Sequence, residues 1–111
     1  MILVYEGNIL GRYVTGFAKK VEHLPNAYGI PTRRSDCEDT SVCFLNDNMF
    51  DLYAAKMEEA MSEIEDSAKK TGREVVLSPK FALGRAELDK RAPRLYEFLM
   101  IELKARFNYG S

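Results

Sequence analysis

The chain has 111 residues, of which 46% are hydrophobic and 30% charged. That is the balance of one folded globular domain, long enough to bury a core without a disulfide or metal staple. Sixteen Lys and Arg against seventeen Asp and Glu leave a formal charge of −1, which excludes the strongly basic class that grips duplex nucleic acid through its phosphates.

The chain carries one histidine, His23, and two cysteines, Cys37 and Cys43, six positions apart. They make neither a CxxC redox pair nor a four-ligand zinc set, so no metal and no cofactor is expected. The thiols read as free cysteines of a reducing cytoplasm. The apolar start, Met1 to Tyr5, is too short for a signal peptide or a membrane span. These features predict a cytoplasmic protein without a membrane partner, made of one domain over 1–109 and a tail at 110–111.

Ile2-Leu3-Val4-Tyr5 is β-branched and aromatic and is bounded by Gly7-Asn8, which predicts a buried strand. Gly16 to Leu24 is rich in helix formers and stops at Pro25, which predicts a short helix. Ala27-Tyr28-Gly29-Ile30, ended by Pro31, predicts a second strand, and Val42 to Leu45 an extended piece. Asn46 or Asp47 can cap a long helix that runs to Lys70 and ends at Gly72. Its apolar stripe is Phe50, Tyr53, Met57, Ala60, Met61, Ile64 and Ala68, at steps of three and four. Val75-Val76-Leu77 predicts a third strand, closed by Ser78-Pro79. The last helix is expected to begin near Ala92, with Pro93 in its first turn and Leu95, Phe98, Leu99, Leu103 and Phe107 on its buried face.

Strands and helices thus alternate. The predicted fold class is α/β: a small three-layer parallel or mixed sheet of three to four strands with flanking helices. In such sheets ligands bind beyond the carboxyl ends of the strands. The segments that follow the strands are Glu6–Gly16, Pro31–Asp47 and Ser78–Ala92. They hold glycines ahead of helical stretches, Gly16-Phe17-Ala18 and Gly84-Arg85-Ala86, where backbone N–H groups can approach a phosphate. From Lys80 to Arg94 five basic residues face two acidic ones, and Arg33-Arg34 stands in the middle segment. The helix from Asp51 to Asp66 is acidic instead, as a solvated face is. A basic, glycine-bearing edge on a neutral protein suits one small anionic ligand. Exposed edge strands in so small a sheet also favour a homo-oligomer.

The run Asn26-Ala27-Tyr28-Gly29-Ile30-Pro31-Thr32-Arg33, and the later run Ala86-Glu87-Leu88-Asp89-Lys90-Arg91-Ala92-Pro93 behind a glycine-bearing loop, resemble segments of small macro-domain-like proteins of phages and bacteria. The order of motifs covers Val4 to Leu103. Macro domains are α/β modules that bind ADP-ribose and its relatives, and some members hydrolyse ADP-ribosyl or phosphate bonds. The resemblance implies ligand contacts at Asn8, Gly16 and Phe17 in the first loop, at Thr32 and Arg33 after the second strand, and at Gly84 and Arg85 in the last loop; the basic charge of the same edge adds Arg34 and Lys80. Both loops, Gly11 to Gly16 and Phe81 to Gly84, hold fewer glycines than the family pattern. That implies a pocket shaped for a different nucleotide, or a surface turned to another use.

Three functions are therefore expected from the sequence. The first is binding of an ADP-ribose-like or other phosphorylated or cyclic nucleotide, as a phage protein acting in the host cytoplasm would do to sequester a signal of host defence. The second is hydrolysis of ADP-ribosyl or phosphate groups, with Asp36, Glu38, Asp39 or Asp47 as base and Asn8 orienting the substrate; His23 lies away from the edge. The third is an interaction with a protein through Phe81 and Leu83 at a decayed nucleotide site.

Overall fold

A computed structural model of the chain describes residues 1–7, 26–32, 34, 44–77 and 87–109. Three strands form one sheet: β1, Ile2–Gly7; β2, Ala27–Pro31; and β3, Val75–Leu77. The order is β2-β1-β3, and both pairings are parallel. The expected parallel sheet is therefore present, with three strands among the described residues. β1 runs two residues beyond the apolar stretch that predicts it.

Strand alternation divides the sheet residues between two faces. Ile2, Val4 and Ile30 are buried in the main core, with Tyr28, Val75 and Leu77 packed against it. Leu3, Tyr5 and Ala27 form a separate cluster on the other face. The register sets Tyr5 directly opposite Gly29. A Cβ at Gly29 would stand 2.8 Å from Tyr5 Cε2, so the absent side chain is what lets the phenol lie across β2.

A 3-10 turn, Asp47–Met49, leads into α1, Phe50–Thr71. Asn46 caps that turn, its Oδ1 accepting from Asn48 N at 2.9 Å. Gly72 ends α1 in the left-handed conformation, φ 66°, and donates its N–H to Ala68 O at 2.8 Å. Few residues other than glycine adopt that conformation readily. Of the expected stripe, Tyr53, Met57, Met61 and Ile64 are buried, and Phe50, Ala60 and Ala68 pack beside them. Lys69 and Lys70 stand in the last turn, where the helix dipole favours positive charge.

α2, Leu88–Arg91, is a single turn entered from Glu87, which is left-handed at φ 47°. Leu88 and Ala92 are fully buried beside it, and that burial offsets a backbone strain of about 1–2 kcal/mol. α3, Pro93–Phe107, starts at Pro93 as expected and ends at the left-handed Asn108. Leu95, Leu99 and Leu103 are fully buried on its inner face.

The helices share a direction. Asp47, just before α1, accepts from the backbone of Arg94 and Leu95 at the start of α3. At the other end, Arg106 Nη1 donates to Ser62 Oγ at 3.0 Å and to Glu65 Oε1 at 3.2 Å. Tyr28, early in β2, donates to Ser67 Oγ, late in α1, at 3.0 Å, so α1 runs against β2. Both long helices therefore begin at the carboxyl edge of the sheet. Among the described residues no helix is long and apolar enough to cross a membrane.

Candidate functional site at the carboxyl edge of the sheet

All three strands end at one edge, as parallel pairing requires. From central β1 the chain moves out to β2, then crosses to β3 on the opposite side. The strand order reverses between β1 and β3, and a crevice forms at such a switch point in open parallel sheets. The segments leaving these two strands are 8–25 and 78–86.

The expected site residues divide sharply. Asn8, Gly16, Phe17, Arg33, Lys80, Gly84 and Arg85 lie outside the described residues. So do the expected short helix, the expected bases Asp36, Glu38 and Asp39, and His23, Cys37, Cys43, Phe81 and Leu83. Thr32 and Arg34 are described. Arg34 is half-buried and engaged with a partner. Thr32 follows β2 directly and is fully buried. Among the described residues its hydroxyl has no hydrogen-bond partner. A buried polar atom without a partner is uncommon and costs about 1–3 kcal/mol.

Glu6 is the residue that sequence reasoning missed. It is 9% exposed and follows Ile2 and Val4 on the helix-covered face by the alternation of β1. A carboxylate in third place on an apolar strand face is the signal that could have found it, because charged groups are seldom buried without purpose. The same alternation along β2, from Tyr28 through Ile30, brings Thr32 to that face.

The basic edge is more engaged than its charge count suggests. Arg91 pairs with Glu87 at 2.9 Å, and its guanidinium stands 3.8 Å from the centre of the Phe44 ring. Arg94 stands 4.6 Å over Phe50, which meets Phe98 edge-on at 6.0 Å. Stacking keeps both positive charges and holds them near the helix starts. Phe44, in the stretch expected to be extended, is an isolated bridge residue.

Asp47 has a different role from the expected one. It does not cap its own helix. Its carboxylate accepts from Arg94 N at 3.1 and 3.2 Å and from Leu95 N at 3.3 Å, so the start of α3 already holds an anion. This arrangement satisfies N–H groups that a helix leaves unpartnered and couples the starts of α1 and α3. Asp47→Ala is expected to lower stability by about 1 kcal/mol. Asp47→Asn, which keeps an acceptor, should lose less; equal losses in urea titrations would show that charge alone matters.

A groove of about 640 Å³ opens at the opposite end, lined by Glu65, Lys69, Glu74, Lys104 and Arg106 among others. Its charges are mixed, and it lies by the ends of α1 and α3, where the dipole repels anions. Among the described residues no three His, Cys, Asp or Glu side chains gather as a metal site.

Fold and edge together define a small α/β domain with a three-stranded parallel sheet and helices packed on it. Residues 1–102 match a family model described as a family of unknown function, DUF7831, and the chain belongs to that family. No curated protein and no solved structure matches it.

Proposed function

We propose that the carboxyl edge binds a small phosphorylated nucleotide of the ADP-ribose type, linear or cyclic, and that the protein acts by sequestering it. One observation carries this reading: the strand order reverses between β1 and β3 at the edge where α1 and α3 begin. Helix starts there direct positive potential towards an anion, and Arg91 and Arg94 add two held charges. Since Asp47 occupies the start of α3, the phosphates belong nearer α1 and the segments that leave β1 and β3. Those segments contain Gly16, Gly84 and Arg85. The resemblance of the Asn26–Arg33 and Ala86–Pro93 runs to macro-domain-like proteins supports the same class of ligand. In a phage protein such binding would remove a signalling nucleotide of host defence.

Calorimetry against ADP-ribose, cyclic ADP-ribose isomers and cyclic oligonucleotides tests this. One of these ligands should bind at a single site, raise the melting temperature, and be recovered unchanged by chromatography. Absence of heat with every ligand overturns the reading. Recovery of a cleaved product replaces sequestration with hydrolysis.

A further inference from the structure

The single turn α2 holds one arginine in a fixed pose. Arg91 Nε donates to Glu87 Oε2 at 2.9 Å, and the guanidinium lies 3.8 Å from the centre of the Phe44 ring. One edge and one face of the group are thereby engaged. The other edge is open. Among the described residues its terminal nitrogens, Nη1 and Nη2, have no hydrogen-bond partner, and 48% of the side chain is exposed. Arg91 also stands at a junction. Glu87 directly follows segment 78–86, the one that leaves β3, and Phe44 stands just before the 3-10 turn that leads into α1. The guanidinium on that ring therefore joins the lead-in of α1 to the segment that leaves β3.

Glu87 keeps that pose at the expense of its own backbone. It is left-handed at φ 47°, a conformation that glycine adopts without strain. The turn itself would be served by glycine. The carboxylate makes one hydrogen bond among the described residues, the one to Arg91, and an exposed ion pair four residues apart adds little to stability. Its visible effect is to turn the guanidinium. Strained residues that orient a charged group cluster at binding sites. The open edge of an arginine presents parallel N–H groups that match two oxygens borne on one atom, as in a phosphate or a carboxylate. Arg94, stacked on Phe50 with no carboxylate partner among the described residues, adds positive field that favours the more highly charged of these anions. We propose that Arg91 is a phosphate contact of this edge, gripping two phosphate oxygens through Nη1 and Nη2, and that Glu87 is its positioning residue. This inference rests on the reading above that the edge takes a phosphorylated ligand. It adds which side chain holds the phosphate.

The strain at Glu87 lets binding and folding be tested apart. The experiment titrates the full chain, Arg91→Lys, Glu87→Gln and Glu87→Gly with ADP-ribose, inorganic pyrophosphate and malonate, and records thermal unfolding of each protein without ligand. Arg91→Lys keeps the charge but loses the planar fork, so its affinity for both phosphorylated probes should fall about tenfold. Glu87→Gln keeps an acceptor for Arg91 Nε and should bind as the native chain does. Glu87→Gly relieves the backbone and releases the arginine. It should unfold at the same or a higher temperature, yet bind as weakly as Arg91→Lys. Undiminished binding of the phosphorylated probes by Arg91→Lys overturns the inference even where ADP-ribose binds. Full binding by Glu87→Gly, or a marked fall in its melting temperature, overturns the role of Glu87. Malonate bound as tightly as pyrophosphate overturns the assignment to phosphate. Binding of pyrophosphate without any nucleotide removes the nucleotide reading and leaves the phosphate contact to the outcome with Arg91→Lys. Absence of heat with every probe removes both.

Discussion

Replacing Leu99 with alanine is expected to lower the stability of the domain by about 3 kcal/mol. Leu99 is fully buried at the middle of α3, in the core it shares with Met57, Met61, Ile64 and the inner face of the sheet. The cost has two parts, the lost burial of three carbon atoms and the cavity that remains. The second part depends on whether α3 can settle into the space. It is held at its start by the Asp47 carboxylate and near its end by Arg106 against Ser62 and Glu65. A helix pinned at both ends cannot close the gap in its middle, so the cavity should persist. Urea unfolding should show a lower midpoint with an unchanged slope. A loss below about 1 kcal/mol would mean that the helix moves inward after all.

The second large effect is expected at Gly29. Alanine there sets a methyl 2.8 Å from Tyr5 Cε2, 3.1 Å from Cζ and 3.3 Å from the phenol oxygen. Tyr5 is 9% exposed and packs with Leu3 and Ala27, so its ring has little room to swing aside. Overpacking of this kind costs about 2 kcal/mol. The cause can be isolated by a double-mutant cycle. In a Tyr5→Leu background the obstruction is gone, and Gly29→Ala should become neutral or slightly stabilising, because alanine loses less backbone freedom than glycine on folding. An equal cost in both backgrounds would place the conflict elsewhere than in the Tyr5 ring.

Much of the frame could be read from residue order. The run from Ile2, the run from Ala27 and Val75–Leu77 are strands because short apolar and β-branched stretches lie between turn-forming residues. The three- and four-residue steps of Phe50 to Ala68 and Leu95 to Phe107 make the two long helices, and Gly72 and Pro93 mark a stop and a start by local backbone preference. The single turn Leu88–Arg91 was not legible. Four residues carry no period, and its left-handed entry at Glu87 is held by the burial of Leu88 and Ala92 rather than by a local preference.

The candidate site was legible in outline only. Parallel strand order places the segments after β1, β2 and β3 at one edge, and Thr32 stands there as expected. Glu6 was not legible as a buried residue, because the apolar run ends at Tyr5 while the strand continues to Gly7. The stacking of Arg91 and Arg94 was not legible, since the rings beneath them, Phe44 and Phe50, belong to a distant part of the chain.

The sequence by itself determined the alternation of elements, their apolar faces and the helix boundaries at Gly72 and Pro93. Each depends on periodicity or on the backbone preference of a single residue, and both act over a few positions. Only the tertiary structure decided what the polar residues do. It took Asp47 from its own helix and gave it to α3, 47 positions along the chain; it stacked two arginines on aromatic rings; and it buried Glu6 and Thr32 at the carboxyl edge. A polar side chain acts through whatever lies within about 3 Å of it, and for these residues that distance is set by the packing of α1 and α3 on the sheet. Which of the basic side chains are paired or stacked was settled by the fold.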